Sequence, residues 1–342
     1  MGLEAMSKLG TILVTGGTGF VGSYLTKRLV EDGYQVTVLD NNTRGRANRL
    51  DPVMKRINYV EGDVTNYEQV DQVTEGINTV FHLAFINGTD NFYNFPEKVL
   101  EVGVKGALNT LDACMKNNVE NYVLTSSSEV YQQPTTIPTP EDERLIIPDI
   151  KNPRYSYSGG KMISELLTLH YPAKSPLKTY ICRPHNFYGP DMGVGHVIPQ
   201  IINRLMDAKD ENQGSAFDFP IQGTGEETRA FCYIDDAIDG ILQMTKNGNP
   251  GELYHIGTQE EVTVSELVLE IARQMELKIN IVKGELLEGS TKRRCPDIKK
   301  LSTLGYTPQY NLRDGLTQTI KWYVEQYLSG PKGDKNSSEI LR

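Results

Sequence analysis

The sequence lacks the features of a membrane protein or a nucleic-acid-binding protein. Its 342 residues include no run of about 18 apolar residues, the length that a membrane-spanning helix requires. Residues 1–9 hold no apolar core of signal-peptide length. Lys and Arg number 35 against 44 Asp and Glu, and a net charge of −9 argues against a nucleic-acid partner. We therefore expect a cytoplasmic protein that binds neither membrane nor nucleic acid.

Cysteine is also scarce. The four cysteines are scattered and form neither a C-x-x-C motif nor a metal-ligand spacing: Cys114, Cys182, Cys232 and Cys295. We therefore predict reduced, structural thiols and no metal site. Hydrophobic content of 38% and charged content of 23% are typical of a soluble globular protein, and the length allows one large domain or two smaller ones.

Short apolar runs alternate with helical patterns in the first half of the chain. The runs cover Thr11–Val14, Gln35–Leu39, Ile57–Val60, Thr79–Leu83, Tyr122–Thr125 and Lys178–Cys182. Helical patterns such as Pro96–Met115 and Ser158–His170 lie between them. This alternation predicts an α/β fold with a doubly wound parallel sheet, in which the carboxyl ends of the strands share one edge.

A glycine-rich segment, T-G-G-T-G-F-V-G, follows the first apolar run and precedes an amphipathic stretch. Glycines at a strand-to-helix turn let backbone N–H groups approach a pyrophosphate. The segment therefore predicts a dinucleotide site, with these candidate residues: Gly16, Gly19, Phe20, Val21 and Gly22.

The residues after the next strands fit the same cofactor. Asp40 ends the second strand about 20 residues beyond the glycines, where a carboxylate accepts hydrogen bonds from an adenosine ribose. Asn41 and Asn42 follow instead of Arg, so we predict NAD rather than NADP, although Arg44 and Arg46 are close. Further cofactor candidates at strand ends are Asn41, Asp63, Val64, Leu83 and Ala84.

The second half of the chain is less regular. We predict helices over Val197–Met206, Asp235–Thr245 and Ser265–Met275, strands over Phe217–Ile221 and Glu252–Ile256, and a mobile polar segment over Asp207–Gly214. The resulting division is a Rossmann-like NAD domain over 10–185 with return segments near 228–258, and a smaller, partly interleaved α/β substrate domain over 186–328. Residues 329–342 are expected to form a disordered tail.

Tyr157 and Lys161 are four residues apart on a predicted helix and therefore share one face. A nearby ammonium favours the phenolate and lowers the pKa of a tyrosine. Such a pair occurs often by chance, and taken alone it is more often a surface pair than a catalytic one. Ser127 and Ser128, at the end of the fifth strand, add hydroxyls at the cofactor edge of the sheet.

Together these motifs resemble the extended short-chain dehydrogenase/reductase family, in particular its NAD-dependent nucleotide-sugar epimerases and dehydratases. The resemblance spans about residues 10–325 and includes S-S-S-E-V-Y, Y-S-G-G-K, R-P-H-N-F-Y-G-P and R-R-C-P-D-I. It implies that Tyr157 is the base for the sugar C4 hydroxyl, assisted by Lys161 and Ser127. It also implies that Pro184 approaches the nicotinamide. The substrate contacts that follow from the resemblance or from position are Ser128, Asn186, His196, Val197, Arg229 and Arg294. The resemblance implies that the two arginines bind the diphosphate.

The departures from the family pattern bear on the reaction. Relatives acting on dTDP-glucose have Asp-Glu after the catalytic Thr and Glu-Lys before the substrate-domain Ile-Pro, whereas this chain has Ser128-Glu129 and Gly195-His196. Glu129 remains, and GDP-mannose dehydratases and UDP-glucuronate decarboxylases pair Ser with Glu there. Gly103 replaces an Asn that is usual at this position in the family. The segment 85–93 is also atypical of the family, and we expect it to line the sugar pocket with Asn87 and Thr89.

Three enzymatic readings follow from the sequence. We favour an epimerase that acts through a transient 4-keto sugar with retained NAD. The alternative is a 4,6-dehydratase or uronate decarboxylase that uses Glu129 at C5, and the third is a net dehydrogenase or reductase. A non-enzymatic NAD-binding module should have lost Tyr157 or Lys161, and this chain has both. The family resemblance implies a homodimer formed by the helices over Pro96–Met115 and Ser158–His170.

Overall fold

The computed structural model describes residues 9–212, 215–285 and 291–329. The strands in these ranges are β1 Ile12–Thr15, β2 Val36–Asp40, β3 Ile57–Glu61, β4 Thr79–His82, β5 Asn121–Thr125, β6 Lys178–Pro184, β7 Phe187–Tyr188, β8 Phe217–Pro220, β9 Thr228–Ala230, β10 Cys232–Tyr233, β11 Glu252–Ile256, β12 Glu261–Thr263, β13 Ile279–Val282 and β14 Arg293–Arg294. The helices are α1 Phe20–Glu31, α2 Tyr67–Thr74, α3 Thr89–Asn94, α4 Pro96–Leu100, α5 Gly106–Lys116, α6 Ser156–His170, α7 Val197–Asn212, α8 Ile234–Asn247, α9 Val264–Gln274, α10 Lys299–Ser302 and α11 Leu312–Ser329.

A seven-stranded parallel sheet in the order β11-β6-β5-β4-β1-β2-β3 forms the centre of the protein. The strand order reverses between β1 and β4, and the carboxyl ends of these two strands frame a crevice. This arrangement confirms the predicted doubly wound α/β fold. The six predicted strands of the first half are present, with ends shifted by one or two residues.

The sheet is covered on both faces because its central strands are apolar throughout. In β1, Ile12 and Val14 pack in the same layer as Leu25 of α1. Leu13 points to the opposite face, where it packs in the layer of Leu111 of α5. All three β1 side chains are fully buried, as expected for a strand with helices on either side.

The chain returns to this sheet from its second half. Strand β11, predicted at Glu252–Ile256, pairs in parallel with β6 from Glu252↔Tyr180 to Ile256↔Pro184. Helix α8 then packs against α1. A three-stranded sheet of β12, β9 and β14 and a pair of β13 and β8 lie outside the main sheet. The exact division into two domains stays a prediction.

Two predicted segments differ from the structure. Residues 207–212, predicted as mobile, continue α7, because this polar stretch rests on α11, where the Tyr327 hydroxyl donates to Asp207 Oδ1 at 2.8 Å. The helix predicted over Pro96–Met115 is interrupted by a π-helical segment over Glu101–Lys105. No helix is predicted from the sequence over residues 312–328, which form most of α11. Ser329 belongs to α11, and the rest of the predicted tail lies outside the described residues, as do residues 213–214.

Across the described ranges, no helix combines the length and apolar character needed to cross a bilayer.

Candidate active site

The turn between β1 and α1 accepts only glycine at two positions. Gly16 has φ +73°, and a Cβ there would lie 2.7 Å from the Ala84 backbone nitrogen. A Cβ on Gly22 would lie 2.1 Å from the Gly16 carbonyl oxygen. Both distances are far below van der Waals contact, so the turn is closed only because these side chains are absent. The open N-terminus of α1 therefore faces the crevice, as a dinucleotide site requires.

Asp40 ties this turn to the end of β2. Its Oδ2 accepts a hydrogen bond from the Thr18 backbone N–H at 2.9 Å, and its Oδ1 accepts from the Asn42 N–H at the same distance. Asp40 thus lies directly beside the glycine turn. It borders a first cavity whose lining includes the predicted cofactor residues Gly16, Gly19, Asp40, Asn41, Asp63, Val64, Leu83 and Ala84.

Asp63 is prearranged on the same side. Its carboxylate accepts from the Asn41 side chain at 2.9 Å and from the Thr65 N–H at 2.8 Å. Burial alone would raise the pKa of Asp63, but the hydrogen bonds from Thr65 and Asn41 outweigh it and lower the pKa. The glycine turn, Asp40 and this charged, hydrogen-bonded carboxylate fit the phosphate and adenosine parts of a dinucleotide.

A second cavity adjoins the first along the carboxyl edge of the sheet, and Gly16, Leu83 and Phe85 line both. It brings together the predicted catalytic residues with several predicted binding residues: Phe20, Val21, Gly22, Ser127, Ser128, Glu129, Tyr157, Lys161, Pro184, Asn186, His196 and Arg294. Asn87 and Thr89 of the atypical 85–93 segment also line it.

Tyr157 is buried in the first turn of α6 and is held between two phenylalanines. Its ring stacks on Phe92 at 4.8 Å and meets Phe85 edge-on at 5.2 Å. Burial raises the pKa of Tyr157 to about 12, while a hydrogen bond with Ser127 acts in the opposite direction. The phenol is therefore neutral at neutral pH in the absence of ligands.

Lys161 lies one turn further along α6 and is also buried. Its ammonium donates to the Thr125 carbonyl oxygen at 2.6 Å and lies 5.9 Å from the centre of the Tyr157 ring. Burial lowers the pKa of Lys161 to about 7. The ammonium is thus fixed between the end of β5 and the tyrosine, where a change in its charge alters the stability of a phenolate.

Glu129 forms an ion pair with Arg294 in this cavity. The Arg294 Nη1 donates to Glu129 Oε1 at 2.5 Å, and the side chains of Arg294 and Glu129 are only 14% and 33% exposed. The Arg294 charge outweighs burial and lowers the pKa of Glu129, and Arg154 and Arg229 act in the same direction. An ionised carboxylate and a guanidinium therefore lie on the wall that also holds Tyr157.

Two predicted substrate residues lie elsewhere. Among the described residues that line the second cavity, Arg229 and Val197 are not found. The guanidinium of Arg229 donates to the carbonyl oxygens of Thr228, Lys292 and Thr291. Burial, together with the Arg294 charge, lowers the pKa of Arg229 to about 10. Arg229 thus anchors the segment that carries Arg294.

A buried ion pair supports the serine run from behind. Glu165 of α6 binds Arg183 of β6 through two hydrogen bonds of 2.6 and 2.8 Å, and both side chains are almost fully buried. Ser126 donates to the same carboxylate. Sequence reasoning did not find this pair, nor Arg154, which lines the second cavity three residues before Tyr157. The sequence signal for Arg154 is its position only three residues before the candidate catalytic tyrosine.

The described residues contain no group of three or more His, Cys, Asp or Glu side chains that could hold a metal ion.

Comparison with known proteins places these features in one family. Residues 12–257 match the model of the NAD dependent epimerase/dehydratase family. UDP-glucuronic acid decarboxylase 1 of Danio rerio is 30% identical over 332 residues, which is 94% of this chain and 76% of the relative.

Solved structures show the same fold. An epimerase from Methanothermobacter thermautotrophicus superposes with a TM-score of 0.83 at 29% identity and covers 95% of both chains. A dTDP-glucose 4,6-dehydratase from Streptomyces venezuelae, solved with NAD bound, gives a TM-score of 0.80 at 28% identity over 92% of this chain and 97% of that one. By name, the proteins to which this chain is similar are thus a decarboxylase, an epimerase and a dehydratase.

Proposed function

The chain belongs to the NAD-dependent epimerase/dehydratase family, and we propose that it decarboxylates a nucleotide-diphosphate uronic acid through a 4-keto intermediate. The observation that carries this proposal is the Glu129–Arg294 ion pair in the cavity of Tyr157 and Ser127. When bound, NAD supplies the oxidation of the sugar at C4 and its later reversal. The roles given below to individual residues are part of the proposal.

Tyr157 accepts the proton of the C4 hydroxyl, and Ser127 orients that hydroxyl. Burial keeps the free Tyr157 phenol neutral, so a positive charge must favour the phenolate when the site is filled. The Lys161 ammonium, held by the Thr125 carbonyl, supplies such a charge. A positioned base of this kind contributes about 100-fold to 10,000-fold to the rate of a proton transfer.

Arg294 binds the C6 carboxylate of the substrate. A guanidinium is suited to a planar carboxylate, because it donates two parallel hydrogen bonds. Once C4 is a ketone, that carboxylate belongs to a β-keto acid. The C5–C6 bond then breaks, carbon dioxide leaves, and the bonding electron pair moves onto the C4 oxygen as an enolate.

Glu129 supplies the proton that C5 needs after this loss. Two carboxylates that share one guanidinium repel each other, so binding of the uronate raises the pKa of Glu129 and favours its protonation. Transfer of that proton to C5 restores the 4-ketone. Arg294 is then free to pair with the ionised Glu129 again, as in the unliganded protein. Tyr157 returns its proton to the C4 oxygen when the ketone is reduced.

Epimerisation at C4, which the sequence analysis favours, is the second candidate. It needs Tyr157, Ser127 and Lys161 but no carboxylate at C5. Its support is the similarity to an epimerase structure over 95% of the chain. Arg294 and Glu129 would then serve only to bind the diphosphate or to hold the cavity wall.

The test uses the purified enzyme with nucleotide uronates and matching neutral sugars, including UDP-glucuronic acid and UDP-glucose, in deuterated water. Mass spectrometry of the products is expected to show loss of carbon dioxide and gain of one deuterium from a uronate, with the neutral sugars unchanged. An isomer of unchanged mass without deuterium would support epimerisation instead. Loss of water from a neutral sugar would support dehydration.

A further inference from the structure

Phe85 contacts both residues of the proposed catalytic pair. The Lys161 ammonium lies 3.9 Å from the centre of the Phe85 ring, and the Tyr157 ring meets Phe85 edge-on at 5.2 Å. Phe85 also lines both cavities and therefore stands where they join. A ring face this close to a buried ammonium is a cation–π contact, which is strongest when the cation is removed from water.

The Phe85 ring fits there only because two neighbouring residues have no side chain. A Cβ on Gly103 would lie 2.3 Å from Phe85 Cζ, and a Cβ on Gly160 would lie 3.2 Å from the same atom. Gly103 sits in the π-helical segment, and its carbonyl oxygen accepts a hydrogen bond from Ser164 of α6 at 3.1 Å. The ring thus fills the space that a residue larger than glycine would occupy at position 103.

We propose that Phe85 and Gly103 act as a positioning pair, in which Gly103 admits the Phe85 ring and the ring holds the Lys161 ammonium charged and fixed beside Tyr157. The functional meaning of this pair rests on the proposed roles of Tyr157 and Lys161. Stabilisation of the buried Lys161 ammonium by the Phe85 ring is a property of the free protein and does not depend on the reaction.

The charge state of Lys161 is finely balanced, which makes the ring contact consequential. Burial lowers the pKa of Lys161 to about 7, so a modest change in the surroundings of the ammonium alters its charge near neutral pH. The titratable groups that interact with this ammonium are Cys182 of β6, Glu165 and Tyr157 of α6 and His82 of β4. Glu165 is already bound to Arg183, whereas the Thr125 carbonyl oxygen and the Phe85 ring face both contact the ammonium directly.

The first test measures the pKa of Lys161 in the ligand-free protein by NMR titration of lysine labelled at Cε and Nζ, with the signal assigned from K161R. Phe85→Leu keeps the site apolar but removes the π face. We expect it to lower the pKa of Lys161 by about 1.5 units, because a desolvated cation–π contact stabilises the charged form by that amount. Phe92→Leu is the matched control, since Phe92 also packs on Tyr157, whereas the Lys161 ammonium lies over the Phe85 ring. An unchanged or raised pKa in Phe85→Leu would overturn the proposal.

The second test measures the packing of the pair by a double-mutant cycle in urea. Gly103→Ala is expected to lower the unfolding midpoint of the wild-type protein, because its Cβ collides with the ring. In the Phe85→Leu background the same change should lower the midpoint much less. If Gly103→Ala lowers the midpoint equally in both backgrounds, residues 85 and 103 do not compete for the same space, and the proposed positioning pair is wrong.

These tests separate the proposal from the proposed function. If the Lys161 pKa falls as expected but Tyr157→Phe retains full turnover, the positioning pair stands and the catalytic role of Tyr157 fails. If Tyr157→Phe is inactive and the Lys161 pKa does not move, the positioning pair fails and the proposed function stands.

Discussion

Arg294 and Arg293 are adjacent residues of β14 that offer a matched pair of substitutions. Arg294 is 14% exposed and pairs with Glu129 in the second cavity. Arg293 is 50% exposed and pairs with Glu261 at the surface through bonds of 2.5 and 2.7 Å. Arg294→Gln and Arg293→Gln thus remove the same charge from the same strand, and only the first change reaches the proposed substrate.

The expected size of the effect follows from these environments. A hydrogen bond to a charged group contributes about 1.5–3 kcal/mol, and 1.4 kcal/mol is tenfold in rate or binding. Arg294→Gln should therefore lower kcat/KM for a nucleotide uronate by about 10-fold to 150-fold. Arg293→Gln removes an exposed ion pair, worth about 0–1 kcal/mol of stability, and should leave kcat/KM within about twofold of wild type.

The pH dependence of the rate provides an independent test of the interaction between Arg294 and Glu129. Arg294 lowers the pKa of Glu129 in the wild-type protein, so its removal raises that pKa. In the proposed mechanism protonated Glu129 supplies the proton to C5, so this step is lost as the pH rises through the pKa of Glu129, and in Arg294→Gln that loss should begin at a higher pH. The assay is initial-rate kinetics with UDP-glucuronic acid across acidic pH. Indistinguishable kinetics for Arg294→Gln and Arg293→Gln would refute the role of Arg294.

Three further predictions address the base, the cofactor turn and the assembly. Tyr157→Phe should lower turnover at least about 100-fold while calorimetry shows unchanged NAD binding, and near-normal turnover would remove Tyr157 as the base. Gly22→Ala places a Cβ 2.1 Å from the Gly16 oxygen and should abolish NAD binding in calorimetry, whereas Gly159→Ala, with 3.4 Å to its nearest atom, should retain it. Leu166 of α6 is 58% exposed, which fits the expected dimer interface on this helix. We therefore expect light scattering to show a dimer for the wild type and a monomer for Leu166→Glu. A monomeric wild type would count against a dimer interface on α6.

The sheet and the glycine turn could be predicted because their signals are local. An apolar run followed by glycines at fixed spacing defines β1, the turn and α1, and the structure shows that Gly16 and Gly22 have no room for a side chain. The boundary errors are small because a strand extends only slightly past its apolar run. The extension of α7 to Asn212 was missed because its support comes from Tyr327, which is distant in sequence.

The site was predicted less completely because its contacts join residues that are far apart in the sequence. Glu129 and Arg294 were each named from sequence, but their ion pair joins residues 165 positions apart and depends on how β14 packs against β9. Arg229 carries the same charge and was predicted to bind substrate, yet its guanidinium binds backbone carbonyls. The contact of Phe85 with Gly103 depends on a π-helical segment that periodicity does not reveal.

The most direct test of the account locates solvent deuterium in the product formed from UDP-glucuronic acid in deuterated water. Decarboxylation through Glu129 predicts a pentose product with one deuterium at C5, detected by NMR, together with released carbon dioxide. Glu129→Gln should reduce both. A uronic acid product that keeps its carboxylate, is inverted at C4 and carries hydrogen at C5 would contradict the central claim and establish epimerisation.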